Sequence, residues 1–116
     1  MDSTVAIAAL AALAQSTRLE TFRLLVSREP DGVAAGELAR LLAIPQNTMS
    51  AHLAVLTRAG LVDGERRSRS IIYRANLARL CDLTRFLVQD CCGGRPELCA
   101  ALLADFMPCC REDTRR

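Results

Sequence analysis

At Gly60 the chain changes its hydrophobic period, and that change limits the folds open to it. Before it, Met49, Leu53 and Leu56 stand at i, i+4 and i+7, an apolar seam along a helix that Pro45 opens as a first-turn residue and that runs to about Arg58. Gly60 ends that helix. After it, Leu61–Val62 and Ile71–Tyr73 read as two short strands joined by a charged turn. A helix followed at once by a hairpin needs other helices to cover its seam, and the sequence supplies them.

Residues 4–14 are rich in Ala and Leu and apolar almost all round, which predicts a buried helix, between subunits if the chain pairs. Ser16 fits an N-cap for the next helix, with Leu19, Phe22 and Leu25 on one face. "REPDG", residues 28–32, is a turn cluster, and "AAGELARLLAI" gives a short helix with Leu38, Leu41 and Leu42 inward. From Asn76 to Cys92 the period is helical again, with Leu77, Leu80, Leu83, Thr84, Leu87 and Val88 in a broad stripe. Gly93–Gly94 stop it, and Pro96 restarts a helix ahead of a polar tail. Aromatic residues are scarce, four with no Trp, so the core must be aliphatic, which favours packed helices. At 116 residues the chain is a single domain, 1–116. It is mainly α with a small β-hairpin, a winged helix-turn-helix. The DNA-reading helix falls at about 46–58, the wing at about 61–75, and the C-terminal helices at about 76–107.

The physical logic of that order is nucleic-acid binding. A helix held by its apolar seam can enter a major groove with its outer face free. Asn47, Thr48 and Arg58 lie on that face, with Gln46, Ser50 and His52 toward its edges. Gln and Asn can pair with adenine edges; Ser, Thr and Arg can hold phosphates or bases. Net charge is only +2, but Arg66, Arg67, Arg69 and Arg74 crowd into nine positions of the hairpin and could meet phosphates. The apolar N-terminal run "TVAIAALAALAQS" has only Asp2 ahead of it as a charge, where a secretory signal needs positive charge, and it is too short to span a bilayer. A cytoplasmic chain with no membrane partner is expected, its six cysteines reduced.

Residues 49–74, "MSAHLAVLTRAGLVDGERRSRSIIYR", closely resemble the S-x-H-L-x-x-L-x-x-A-G-L-V…R…Y signature of the ArsR/SmtB family of metal-sensing repressors. Ser50, His52, Ala59, Gly60, Leu61, Val62, Arg66 and Tyr73 fall in place, and "TRLETFRLL" is similar to an upstream helix of that family. The resemblance covers roughly residues 8–80. It implies a homodimer built on the first and last helices, a palindromic double-stranded operator, and repression relieved by ligand. It places His52, Arg66 and Tyr73 among the DNA-binding residues, to which the charge of the wing adds Arg67 and Arg69. Two features depart from the pattern: Pro45 stands where Ser is frequent, and the wing turn "RRSRS" lacks glycine.

The effector has to be sought in sulfur. The cysteine box of many arsenic sensors in that family would fall here on Ala34, Gly36 and Ala39, and a zinc site of the family's C-terminal type needs histidines, whereas the only one is His52. What remains is "QDCCGGRPELCA". Trivalent arsenic and antimony bond three thiolates in a pyramid, and soft thiolates select soft ions. Cys91, Cys92 and Cys99, around a Gly-Gly reversal and a new helix start, are therefore the expected ligands of As(III) or Sb(III). The vicinal pair Cys109–Cys110 is a possible auxiliary. Cys81, on the packing stripe of the long helix, reads as a buried structural thiol. A methylarsenite sensor using two thiols, and a redox switch pairing Cys91 or Cys92 with Cys99 or the tail pair, are the alternatives. A thiol enzyme would need an anion-binding loop, for which "CCGGRPEL" offers only Arg95 and a helix start, so no enzyme is expected.

Overall fold

The computed structural model describes residues 1–89. Cys91, Cys92, Cys99, Cys109, Cys110 and the helix expected after Pro96 lie outside the described residues. Within them five helices surround a small sheet: α1 (Ser3–Leu13), α2 (Ser16–Ser27), β1 (Val33–Ala34), α3 (Ala35–Leu42), α4 (Gln46–Arg58), β2 (Val62–Arg67), β3 (Ser70–Ala75) and α5 (Leu77–Gln89). The sheet is antiparallel in the order β1-β3-β2. Helices α3 and α4 with the β2–β3 hairpin make a winged helix-turn-helix.

Local chemistry sets the helix ends. Asp2 caps α1 by accepting the Val5 N–H at 2.9 Å, and Asn76 caps α5 by accepting that of Arg79 at 3.0 Å. The cap of α2 is Gln15 rather than Ser16: its Oε1 takes the Arg18 N–H at 2.9 Å, and Ser16 becomes the first helical residue. Pro45 likewise sits one place outside α4, extended at φ −61° and ψ 147°. Between α3 and α4, Ala43 takes the left-handed conformation at φ 56°, so that the Ile44 N–H reaches back to the Ala39 carbonyl at 3.0 Å. That bond closes the turn of the helix pair.

The core is aliphatic, as the composition requires. Leu25, Leu38, Met49, Leu53, Leu56, Leu61 and Val62 are fully buried, with Phe22 beside them. Each such side chain contributes about 1.5–3 kcal/mol relative to exposure. Four helices bury their side chains differently from the expectation. Leu19 is 43% exposed and Leu41 37%, because α2 buries Thr21, Phe22 and Leu25, and α3 centres on Leu38, Ala39 and Leu42. Helix α1 buries only Ala6, Ala9 and Ala12, leaving Ile7 64% exposed. On α5 Leu83 and Val88 are buried while Leu87 is 47% exposed.

Strand β1 was not legible as a strand. Val33 pairs with Tyr73 and Ala34 with Ile72, so the chain entering α3 is stitched to the wing. Gly32 permits this. It has φ +80°, and a Cβ there would come within 2.7 Å of the Tyr73 carbonyl oxygen. Gly32→Ala is expected to cost about 1–3 kcal/mol, toward the upper end because the obstacle is backbone. Gly36, where a Cβ would meet nothing closer than 3.5 Å, is the control. In urea unfolding Gly36→Ala should be neutral or stabilising; equal losses at both positions would refute the steric account.

Candidate nucleic-acid interface

Helix α4 is anchored by Met49, Leu53 and Leu56, all fully buried, and packs on α1, α2, α3 and β2. Its other side is open. Gln46, Asn47, Thr48, Ser50 and Arg58 are exposed, and His52 is half-buried at the edge. The structure thus brings all six sequence-predicted α4 residues to one helix and leaves five fully available. At its start Pro45 supplies no side-chain cap, and Asn47 Oδ1 accepts the Thr48 N–H at 2.9 Å. The Gln46 and Asn47 amides have no intrahelical partner, an arrangement suited to a phosphate.

The wing presents Arg66, Arg67 and Arg69, all exposed. Arg67 lies 3.2 Å from Glu65, both side chains largely in solvent, so the pair contributes at most about 1 kcal/mol and can be exchanged for a phosphate. Register pairs Arg67 with Ser70, and Ser68 makes the tight turn at φ 58° where glycine is usual. Arg74, the fourth arginine of the cluster, is engaged elsewhere. Its Nη2 and Nε donate to Glu29 at 2.7 and 3.3 Å, fastening the root of the wing to the turn after α2. Hydrogen bonding to Glu29, reinforced by its charge, holds the guanidinium above its ordinary pKa. Tyr73 is half-buried on the central strand beside Gly64, where a Cβ would sit 3.0 Å from its ring.

Sequence reasoning missed Arg18. Its Nε donates to the Ala12 carbonyl at 2.6 Å and its Nη1 lies 3.4 Å from His52 Nδ1. No local signal marks a contact across 34 positions. Cys81 is buried, as expected. Among the described residues no group of three His, Cys, Asp or Glu could hold a metal ion, and no helix is long and apolar enough to cross a membrane.

A buried-seam helix with a polar outer face, beside a basic hairpin, defines a winged-helix regulator of transcription. Comparison with known proteins agrees. A family profile described as a helix-turn-helix domain matches residues 13–65. The fold superposes on an ArsR-like transcriptional regulator from Rhodococcus sp. RHA1 with a TM-score of 0.69 and 30% identity, over 84% of this chain and 90% of that one. The chain belongs to the ArsR-like family of transcriptional regulators. It is also 33% identical over 72 residues to the transcriptional activator HlyU of Vibrio cholerae, a match over 62% of this chain that spans 64% of that protein's length. The homodimeric winged helix-turn-helix DNA-binding domain of Mb0332 from Mycobacterium bovis aligns with a TM-score of 0.60 and 25% identity, over 79% of this chain and 85% of that one.

Proposed function

We propose that the chain is a cytoplasmic homodimeric repressor of an arsenic or antimony resistance operon. Two α4 helices and their wings grip a palindromic operator, and the dimer leaves when As(III) or Sb(III) bonds Cys91, Cys92 and Cys99, with Cys109 and Cys110 as auxiliary ligands. The observation that carries this reading is the C-C-x6-C set immediately beyond α5, in a chain with one histidine. Helix α5 touches α1, and both expose apolar side chains, Ile7 and Leu10 on one and Leu87 on the other. These faces suit a second copy, and the similar Mb0332 domain is homodimeric. An effector bound next to such helices needs only about 1.4 kcal/mol of differential affinity to weaken DNA binding tenfold, within the roughly 1–3 kcal/mol typical of allosteric coupling.

A second reading is a redox switch in which Cys91 or Cys92 pairs with Cys99 or with the tail pair, so that thiol oxidation rather than metalloid capture releases the DNA. The activator HlyU is similar to this chain, and its reduced form is among the matching structures, with a TM-score of 0.58.

Anisotropy of a labelled promoter duplex separates the two. Reduced full-length protein is titrated with As(III), Sb(III), methylarsenite, Zn(II) and peroxide, alongside Cys81→Ser, Cys91→Ser, Cys92→Ser and Cys99→Ser. The expected result is release by As(III) and Sb(III), lost in each of the last three variants and kept in Cys81→Ser. Release by peroxide alone, weakened in the Cys91, Cys92 or Cys99 variants, would establish the redox switch instead. Release by methylarsenite that survives loss of one thiol would indicate a two-thiol site.

A further inference from the structure

Arg18 stands where α1, α2 and α4 meet. Its backbone N–H is held by Gln15, its Nε by the Ala12 carbonyl in the last turn of α1, and its Nη1 faces His52 Nδ1 on α4 at 3.4 Å. A guanidinium carries donors only and stays protonated. Nδ1 must therefore accept, and a neutral imidazole accepting there carries its proton on Nε2. His52 is half-buried, yet among the described residues no buried side-chain nitrogen or oxygen lacks a partner. Nε2, which no group among the described residues engages, thus reaches solvent at the edge of the α4 face that carries Thr48 and Asn47.

We infer that Arg18 is a positioning residue for DNA recognition: it fixes His52 as a neutral imidazole that presents Nε2–H to a hydrogen-bond acceptor on the duplex. The inference rests on α4 being the helix that meets DNA. The acceptor is a phosphate oxygen or a base-edge atom such as purine N7, guanine O6 or thymine O4. Because the ring is neutral, the contact adds affinity without displacing a counterion, unlike the wing arginines. Arg18 also joins the end of α1 to the middle of α4, so the helix that presents His52 keeps its angle to the first helix.

His52 is the only histidine, so nitrogen NMR of the full-length protein labelled with 15N-histidine reads one ring. At mildly alkaline pH the wild type is expected to show Nδ1 unprotonated and Nε2 protonated. Arg18→Lys should keep that form, and Arg18→Ala should move it toward a mixture of tautomers. A wild-type ring protonated at Nδ1 would overturn the inference without any variant having to fold. The second readout is anisotropy on a duplex selected from a random pool by the wild-type protein. Arg18→Ala and His52→Ala should each weaken binding about tenfold, and the double variant no further, because one contact is lost in all three. His52→Ala should leave the salt slope unchanged. A loss confined to one base position assigns the acceptor to a base edge, and a uniform loss assigns it to phosphate. Additive losses, or a slope shallower by about 0.9 on losing His52, would refute a neutral donor held by Arg18. Asn47→Ala with Ser50→Ala is the control. If that pair weakens binding and the Arg18 and His52 variants do not, this inference alone fails. If none does, α4 is not the DNA-facing helix.

Discussion

Leu53→Ala is expected to remove about 2–5 kcal/mol of stability. Leu53 is fully buried between Met49 and Leu56 on the seam that holds α4 against α1, α2, α3 and β2. Deleting three carbons there loses their transfer free energy and leaves a cavity that four neighbouring elements, fixed by other contacts, cannot close. Domains of this size are stable by only about 5–15 kcal/mol, so the variant should unfold roughly 10–20 °C lower at equal protein concentration. DNA binding should fail with it, since the outer face of α4 is placed by its inner one. The control is the same chemical change at an exposed leucine. Leu41→Ala, on the outer side of α3, should stay within about 0.5 kcal/mol. Comparable thermal shifts for the two would mean that the seam does not anchor the helix.

Neutralising the wing, with Arg66, Arg67 and Arg69 all changed to Ala, should lower DNA affinity by about 10²-fold or more at moderate salt while leaving stability nearly unchanged. All three are exposed, and among the described residues only Arg67 has a partner, an exposed Glu65. The signature is electrostatic. Each phosphate contact contributes about 0.9 to the slope of log affinity against log salt, so each wing should lose close to 3. Arg74→Ala should behave in the opposite way. Its guanidinium is committed to Glu29, so its loss should loosen the wing root and lower the unfolding temperature more than the salt slope. An unchanged slope in the triple variant would remove the wing from the interface.

What the sequence reveals here follows the range of the interaction. The α4 seam, the Gly60 stop and the hairpin are local patterns of three to seven residues, and the structure shows all of them. The exposed face of α4 follows from the same period. Strand β1 was hidden because two residues carry no alternation; it exists through pairing with Tyr73 and Ile72, some forty positions away. Leu19 and Leu41 were placed inward because leucine dominates hydrophobic scales, whereas the stripes turn toward Thr21 and Ala39, smaller side chains that allow closer packing. Arg74 was read with its neighbours as a free cation, yet its partner Glu29 stands 45 positions earlier. The Arg18–His52 contact was illegible for the same reason.

The most direct test of the account is the mapping of duplex DNA onto the backbone amides of the reduced 15N-labelled protein by NMR. The account places the perturbed amides at Gln46 to Arg58 and at the wing tip around Arg66 to Ser70, with α2 and the outer side of α3 little changed. Perturbations centred on the exposed sides of α2 and α3, with α4 and the wing silent, would contradict it.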